Sequence, residues 1–402
     1  MAMIGILVLL GIVSALQFQT PASLGMAKKL TDYDAFHIAG TLALEGRPAD
    51  AYRMRTMLAA QREHAGTQSF MPWTYPPPFG LVTAALAALP IGLGFLLFML
   101  ASLGLYLHVL RRIAGPYLPG VLIVIAPTLV LLMRTGQNGF LTGGLIGLFL
   151  LAFLKRKPMA GLPLGLMLIK PHIAVGIALV TLMERRWQTV IVAAATVLAL
   201  LLLSTWMLGL SVWQGFADGV AEATVFLRLG LYPLFRMTSI YAFAYRMGAG
   251  PDWALALHGI VALAALAAFV RLWILGTAPN RLAAAICCAS LFISPYNYDY
   301  DLTLFGLAVA FVLPEILQRT TPPEQAGLVA LCWIATGYGL ALAIIWPDSV
   351  QSSISGLQAS NRIWSLMAPL LIVTIALGAR ILARAPLAAR EAGPQPQAIR
   401  AA

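Results

Sequence analysis

The sequence predicts an all-α membrane protein, a polytopic bundle of transmembrane helices, and three observations carry that prediction. Hydrophobic residues make up 60% of the 402 positions and charged residues only 10%. The mean hydropathy is +0.85. Apolar runs of spanning or near-spanning length recur along the chain, separated by short polar or Pro/Gly-containing breaks. A soluble domain carries about a quarter charged residues and under half apolar ones, so lipid must be the solvent for most of this chain.

The runs cover 3–19, 78–90, 91–110, 117–133, 138–154, 159–183, 188–208, 253–276, 281–295, 301–316, 326–346 and 362–383. They predict about eleven to twelve spans, several shorter than the roughly 20 residues of a straight crossing and broken by proline. Stretches 78–110 and 159–183 each admit one crossing or two. Residues 3–19 lack a basic n-region and a small-x-small cleavage site, so they read as an uncleaved first span. No internal repeat or soluble domain is visible. Residues 1–383 read as one transmembrane domain and 384–402 as a cytoplasmic, disordered tail.

The net charge of +11 is distributed as a membrane protein distributes it. Arg111-Arg112, Lys155-Arg156-Lys157 and Arg185-Arg186 each abut a long apolar run, which is the positive-inside pattern. No basic stretch is interleaved with stacking aromatics, so nucleic acid is not an expected partner, whereas membrane lipid is. The tail with Arg384, Arg390 and Arg400 and the link at Arg319 then face the cytoplasm. Ser294–Asp301, the loop near Asp348 and the long 20–74 loop face outward. The setting expected is a bacterial inner (plasma) membrane.

The 20–74 loop is too long for a plain connection and is expected to carry short interfacial helices. One of these, over 34–44, would turn Phe36, Ala39, Ala43 and Leu44 toward lipid. A second polar stretch, 209–252, holds Trp213, Asp218, Glu222, Arg228 and Arg236. Cys287, Cys288 and Cys332 lie inside apolar runs without disulfide or metal spacing and read as packing residues. His37 and His64 read as ordinary loop residues, since no His/Asp/Glu spacing of a metal site surrounds them.

Chemistry concentrates where polar residues interrupt this background. Only 15 acidic residues exist, and a carboxylate costs about 2.5–3.5 kcal/mol or more at mid-membrane. Two acidic groups stand out, Asp32-Tyr33-Asp34 and Ser294-Pro-Tyr-Asn-Tyr-Asp-Tyr-Asp301, and both are assigned to the outer face. Arg134-Thr-Gly-Gln-Asn138 and Lys170-Pro-His172 each break an apolar segment with a cation suited to a phosphate or carboxylate. Trp73-Thr-Tyr-Pro-Pro-Pro-Phe79 reads as a stiff corner, with Tyr75 as an interface anchor. No nucleophile elbow, P-loop, dinucleotide fingerprint or zinc motif is present. What such loops support is proton removal from a hydroxyl by a carboxylate while a phosphate leaves beside a cation.

These residues resemble glycosyltransferase family 87 (DUF2029), whose members have the GT-C type fold. The matching pieces come in the family's order over about 30–305. They are Asp32-Tyr33-x-x-Phe36, Leu44-Glu-Gly46, Ala51-Tyr52, Tyr75-Pro-Pro-Pro78 and Gly136-Gln-Asn138, then Gly165-Leu…Lys170-Pro171, Ser239, and Ser294-Pro295…Tyr300-Asp301-Leu302. Each motif is weak alone; their succession on a multi-span background is specific. Where a relative has His near the Ser-Pro motif, this chain has Tyr296, Asn297 and Tyr298.

The resemblance implies an integral-membrane transferase, taking a hexose (mannose in the best-known case) from a polyprenyl monophosphate to a lipid or glycan acceptor on the outer face, with inversion. An aspartate of the first external loop would be the base, and both Asp32 and Asp34 are candidates. Lys170, Arg134, Arg228 or Arg236 would hold the lipid phosphate. Tyr75, Gln137, Asn138, His172, Tyr298, Asp299 and Asp301 would bind sugar or acceptor, or orient the base. Neither a metal nor another cofactor is required. The alternatives are a transporter or flippase of a lipid-linked sugar, with its cavity centred on Lys170, and a non-catalytic scaffold. The sugar, the acceptor and the oligomeric state are not encoded in these motifs.

Overall fold

The structure, a computed structural model, describes residues 2–19, 30–65, 70–346 and 363–387. The expected loop near Asp348 and the last fifteen residues of the tail therefore lie outside the described residues. Among the described residues the regular elements are all helical. In chain order they are α1 (Ala2–Gln19), α2 (Asp32–Leu44), α3 (Met54–Ala65), α4 (Pro77–Ala87), α5 (Ile91–Ala114) and α6 (Leu118–Val124). Then come α7 (Ala126–Thr135), α8 (Gly139–Leu154), α9 (Gly161–Leu166), α10 (Val175–Met183), α11 (Trp187–Leu208) and α12 (Ser211–Arg228). The chain continues with α13 (Ile240–Arg246), α14 (Pro251–Ile274), α15 (Pro279–Ser290), α16 (Thr303–Leu317), α17 (Pro322–Ile345) and α18 (Met367–Leu382).

Among the described residues six helical stretches are long and apolar enough to cross a membrane: Ala2–Gln19, Ile91–Val124, Trp187–Leu208, Pro251–Ile274, Asp299–Leu317 and Pro322–Ile345. Shorter apolar helices complete the bundle. Their breaks fall where the backbone chemistry demands. Gly115 turns the chain with φ +55° ahead of Pro116, and Gly136 closes α7 in the left-handed region at φ +70°. Pro171 forbids continuation of the helix at Lys170.

Packing decides the two ambiguous stretches. The first turns of α4 touch Phe36 through Phe79, and its last turn lies against Gly94 at the start of α5. Both ends of α4 thus stay on one side, and α5 alone crosses. Over 159–183 the chain instead rises and returns. α9 runs parallel to α11, with Gly161 beside Thr189 and Gly165 beside Thr196. The chain reverses at Lys170, and α10 descends from Gly176, which sits against Ser290.

This alternation sorts charge to opposite ends. Helices α5, α8, α10, α14, α16 and α18 all run away from the acidic segments, and Arg111-Arg112, Lys155-Arg156-Lys157, Arg185-Arg186, Arg271, Arg319 and Arg384 close or follow them. The carboxylates of Asp32, Asp299 and Asp301 occupy the other end.

The helix expected in the first loop forms as α2, but its apolar face does not meet lipid. Phe36 and Ala39 are buried, and Phe36 makes edge contacts with Trp73, Tyr75 and Phe79. Gly40 lets α2 lie directly on the backbone of α4 at Thr83. An amphipathic stripe reports an apolar neighbour, and here the neighbour is protein; only Leu44 is well exposed.

Candidate active site

The two acidic segments are built alike. Both read Asp-Tyr-Asp, and both open a helical turn, α2 at Asp32 and a 3-10 turn at Asp299–Leu302 that leads into α16. The preceding residues share one extended conformation, φ −118° and ψ 172° at Thr31, φ −117° and ψ 172° at Tyr298. In each segment the second aspartate caps the turn. The Thr31 N–H donates to Asp34 Oδ2 at 2.9 Å, and the Tyr298 N–H donates to Asp301 Oδ2 at 3.1 Å. Its other oxygen meets a basic side chain, His64 Nε2 at 3.1 Å for Asp34 and Lys170 Nζ at 2.5 Å for Asp301. Acidic residues in a first turn are also favoured by the helix dipole.

The Gly136-Gln-Asn-Gly139 link lies between these segments. A Cβ on Gly136 would collide with Tyr33 and Phe95, and one on Gly139 would run into the Tyr300 carbonyl. Only glycine permits that approach, which brings Gln137 to Asp32. The Gln137 amide is held at both ends: its Oε1 accepts from the Tyr75 hydroxyl at 2.7 Å and the Asn138 N–H at 2.8 Å, and one N–H of its Nε2 donates to Asp32 Oδ1 at 2.9 Å. Burial pushes the Tyr75 phenol well above its ordinary range, so it stays a donor and fixes which way the amide faces. The Tyr75 carbonyl in turn accepts from Tyr52 at 2.7 Å. Asp32 Oδ2 makes no hydrogen bond among the described residues.

Two buried ion pairs complete the cluster. Arg236 grips Asp299 with two parallel bonds of 2.9 Å, Nε to Oδ2 and a terminal nitrogen to Oδ1. Lys170 bonds Asp301 and also stands 4.5 Å above the Tyr300 ring, which stacks on Tyr298. A short antiparallel bridge, Met237 to Tyr298, fastens the Arg236 turn to the acidic segment, with the Thr238 N–H donating to the Asn297 carbonyl. Asp32 lies within electrostatic reach of Arg236, Asp299 and Lys170; burial raises its carboxyl above the ordinary range and Arg236 opposes the rise. Three carboxylates against two cations leave the cluster one negative charge.

Of the residues singled out from sequence, Asp32, Tyr75, Gln137, Lys170, Arg236, Tyr298, Asp299 and Asp301 thus converge, and His172 lies within electrostatic reach of Lys170 and Asp301. Asn138 is wholly buried, and neither its amide nitrogen nor its oxygen has a partner; His172 Nε2 and Thr303 Oγ1 share that condition. Buried polar atoms normally have partners, so these are among the atoms of the structure with unused hydrogen-bonding capacity. Tyr75, expected to anchor the interface, is instead the donor that orients Gln137. Gln137 donates one amide hydrogen to Asp32.

Three residues stand apart. Asp34 is fully buried in the first turn of α2 and holds Thr31 and His64. Arg228 pairs with Asp252 at 2.8 Å on an exposed edge, because it ends α12 on the side facing α14. Arg134 is exposed in the last turn of α7. Reasoning from sequence missed Tyr300 under Lys170, Tyr52 behind Tyr75, and His64, whose partner is 30 positions away. The Tyr-x-Tyr alternation over 296–300 and the Tyr300-Asp301-Leu302 piece of the resemblance were the signals for the first of these.

The geometry separates the two aspartates of the first segment by their partners, Gln137 for Asp32 and Thr31 with His64 for Asp34. Asp34→Ala removes an N-terminal cap and strands His64, so it is expected to cost about 1–3 kcal/mol of stability. Thermal unfolding of the purified protein in detergent measures this, and an unchanged midpoint would refute the capping role.

Against known proteins, the family model described as glycosyltransferase family 87 matches residues 73–295. The matched stretch is more than half of the 402 residues and contains the Tyr75, Gln137, Lys170 and Arg236 contributions to the cluster. No curated protein and no solved structure matches the chain. An all-helical, multi-pass architecture accompanies that match. The chain belongs to glycosyltransferase family 87.

Proposed function

We propose that this membrane glycosyltransferase moves a hexose, mannose in the favoured case, from a polyprenyl monophosphate donor to a lipid or glycan acceptor at the outer membrane face, with inversion and with Asp32 as general base. One observation carries the reading. Asp32 Oδ1 is anchored by Gln137 while Oδ2 stays open, within electrostatic reach of two cations. Asp34 has its oxygens committed to Thr31 and His64, which favours Asp32 over its neighbour.

The step balances as a single displacement. The acceptor oxygen attacks the anomeric carbon and its proton passes to Asp32 Oδ2. The bond from that carbon to the phosphate oxygen breaks, and the lipid phosphate leaves with the electron pair. Lys170 and Arg236 supply the positive field, although each is bonded to a carboxylate, so an arriving phosphate competes with Asp301 and Asp299 for them. Exposed Arg134 offers a further cation. Asn138, His172 and Tyr298 bind sugar or acceptor hydroxyls. The outer-face orientation is supported by the gathering of the basic clusters at the end opposite Asp32.

A carrier of lipid-linked sugars would centre its cavity on Lys170 and seal it from both sides. The closure of the Asp32 turn on the Ser294–Asp301 segment favours transfer. Membranes containing the protein, incubated with radiolabelled polyprenyl-phosphate hexoses, are expected to pass label to a lipid or glycan acceptor; nucleotide sugars alone are not. Equal transfer from nucleotide sugars would overturn the donor class.

A further inference from the structure

A cavity of about 540 Å³ lies between α14, α15, α16, α17 and α18, away from the Asp32 cluster. Each wall is one face of a helix. On α16 the lining runs Phe305, Ala308, Val309, Val312, Leu313 and Ile316, the 3.6-residue spacing of a single stripe. The space exists because facing stripes are built of small residues, among them Ala265, Ala268, Ala284, Ala285 and Gly378. A Cβ at Gly378 would meet nothing within 4 Å.

The charged and amide groups of the lining lie at one end, and the hydroxyl of Thr374, higher on α18, is taken up by the Leu370 carbonyl. Phe292 and Phe305 close the top, while Thr277, Arg281 and Gln325 line the foot, at the basic end of the bundle. On α17, Cys332 lines the wall two turns, about 10 Å, from Gly339, which packs on Asp299. At the foot Arg281 and Arg319 share Glu315, and Arg384 pairs with Glu324 at 2.7 Å. Three arginines against two glutamates leave one positive charge there. From Phe305 to Leu317 the cavity follows α16 for about 18 Å, close to the ~15 Å depth of one leaflet's hydrocarbon.

We propose that this cavity takes one acyl chain of an anionic phospholipid from the leaflet opposite the Asp32 cluster, its headgroup phosphate meeting Arg281. The donor's prenyl chain is a poorer occupant, because its phosphate belongs with Asp32 and the cavity is apolar toward that end. The surplus charge at the foot selects an anionic headgroup. A volume of this order accepts a single chain, leaving the second chain in the bilayer.

Native mass spectrometry of the full chain tests this, with delipidated protein titrated in detergent against dioleoylphosphatidylglycerol, dioleoylphosphatidylcholine and a polyprenyl phosphate. One phosphatidylglycerol is expected to bind per chain, in preference to phosphatidylcholine. Arg281→Gln should erase that preference. Gly378→Phe, which enters open space and so should fold, is expected to weaken phosphatidylglycerol binding about tenfold or more. Equal binding of the two phospholipids, or unchanged binding in Gly378→Phe, would overturn the proposal. So would polyprenyl phosphate being the ligand that Gly378→Phe displaces, which would make the cavity the donor's tail groove.

Discussion

Asp32→Asn is expected to lower sugar transfer about 10²–10⁴-fold, the usual contribution of a positioned general base, without unfolding the protein. Asparagine keeps an oxygen that can accept from Gln137 Nε2, so the hydrogen bond seen at 2.9 Å survives. What disappears is the open, basic oxygen. The pH profile supplies a second reading. Burial lifts the Asp32 carboxyl above its ordinary range, so the base is protonated, and activity lost, at a higher pH than a free carboxylate would give. Gln137→Leu removes the anchor and should lower the rate without abolishing it. Initial rates in membranes across pH, beside the thermal midpoint of each variant, measure these outcomes. Full activity in Asp32→Asn would remove Asp32 from the reaction.

The largest loss of stability is expected at Asp299. Its carboxylate is wholly buried and takes both bonds of the Arg236 guanidinium. Asp299→Ala leaves a buried arginine without its counter-charge, and breaking such a pair from one side costs roughly 3–5 kcal/mol. The desolvated cation, rather than the lost attraction, accounts for most of that cost. Removing both charges should therefore be milder, so Asp299→Ala with Arg236→Met is expected to recover part of the loss. A double-mutant cycle on detergent unfolding midpoints reads the coupling directly. Additive effects would show that the two residues do not share one energy.

Sequence reasoning found the residues of this site more readily than their contacts. Asp32, Gly136-Gln-Asn138, Lys170 and Ser294–Asp301 were visible because each interrupts apolar sequence, and a polar interruption in lipid must have a physical reason. Partners were another matter. Lys170 meets Asp301 across 131 positions and Arg236 meets Asp299 across 63, and no local periodicity links such distances. The two Asp-Tyr-Asp turns share one construction, yet sequence alone did not say that the second aspartate of each caps while the first faces the cluster. That distinction depends on the backbone entering each turn. The face of α2 was misassigned for a related reason: an apolar stripe says what it avoids and not what it touches.

The span between Lys170 and Asp301 also bears on biogenesis. A membrane protein is threaded from its N-terminus, so Lys170 is delivered long before its counter-ion is synthesised. At roughly 5–20 residues per second, the interval of 131 positions lasts about 7–26 s. Through that time the lysine lacks Asp301, the carboxylate it bonds in the finished fold, and Pro171 keeps the segment around it from closing into a continuous helix. The bond that ties the tip of the α9–α10 hairpin to the start of α16 can form only after Asp301 has been made. The polar cluster is therefore completed only by the last third of the chain.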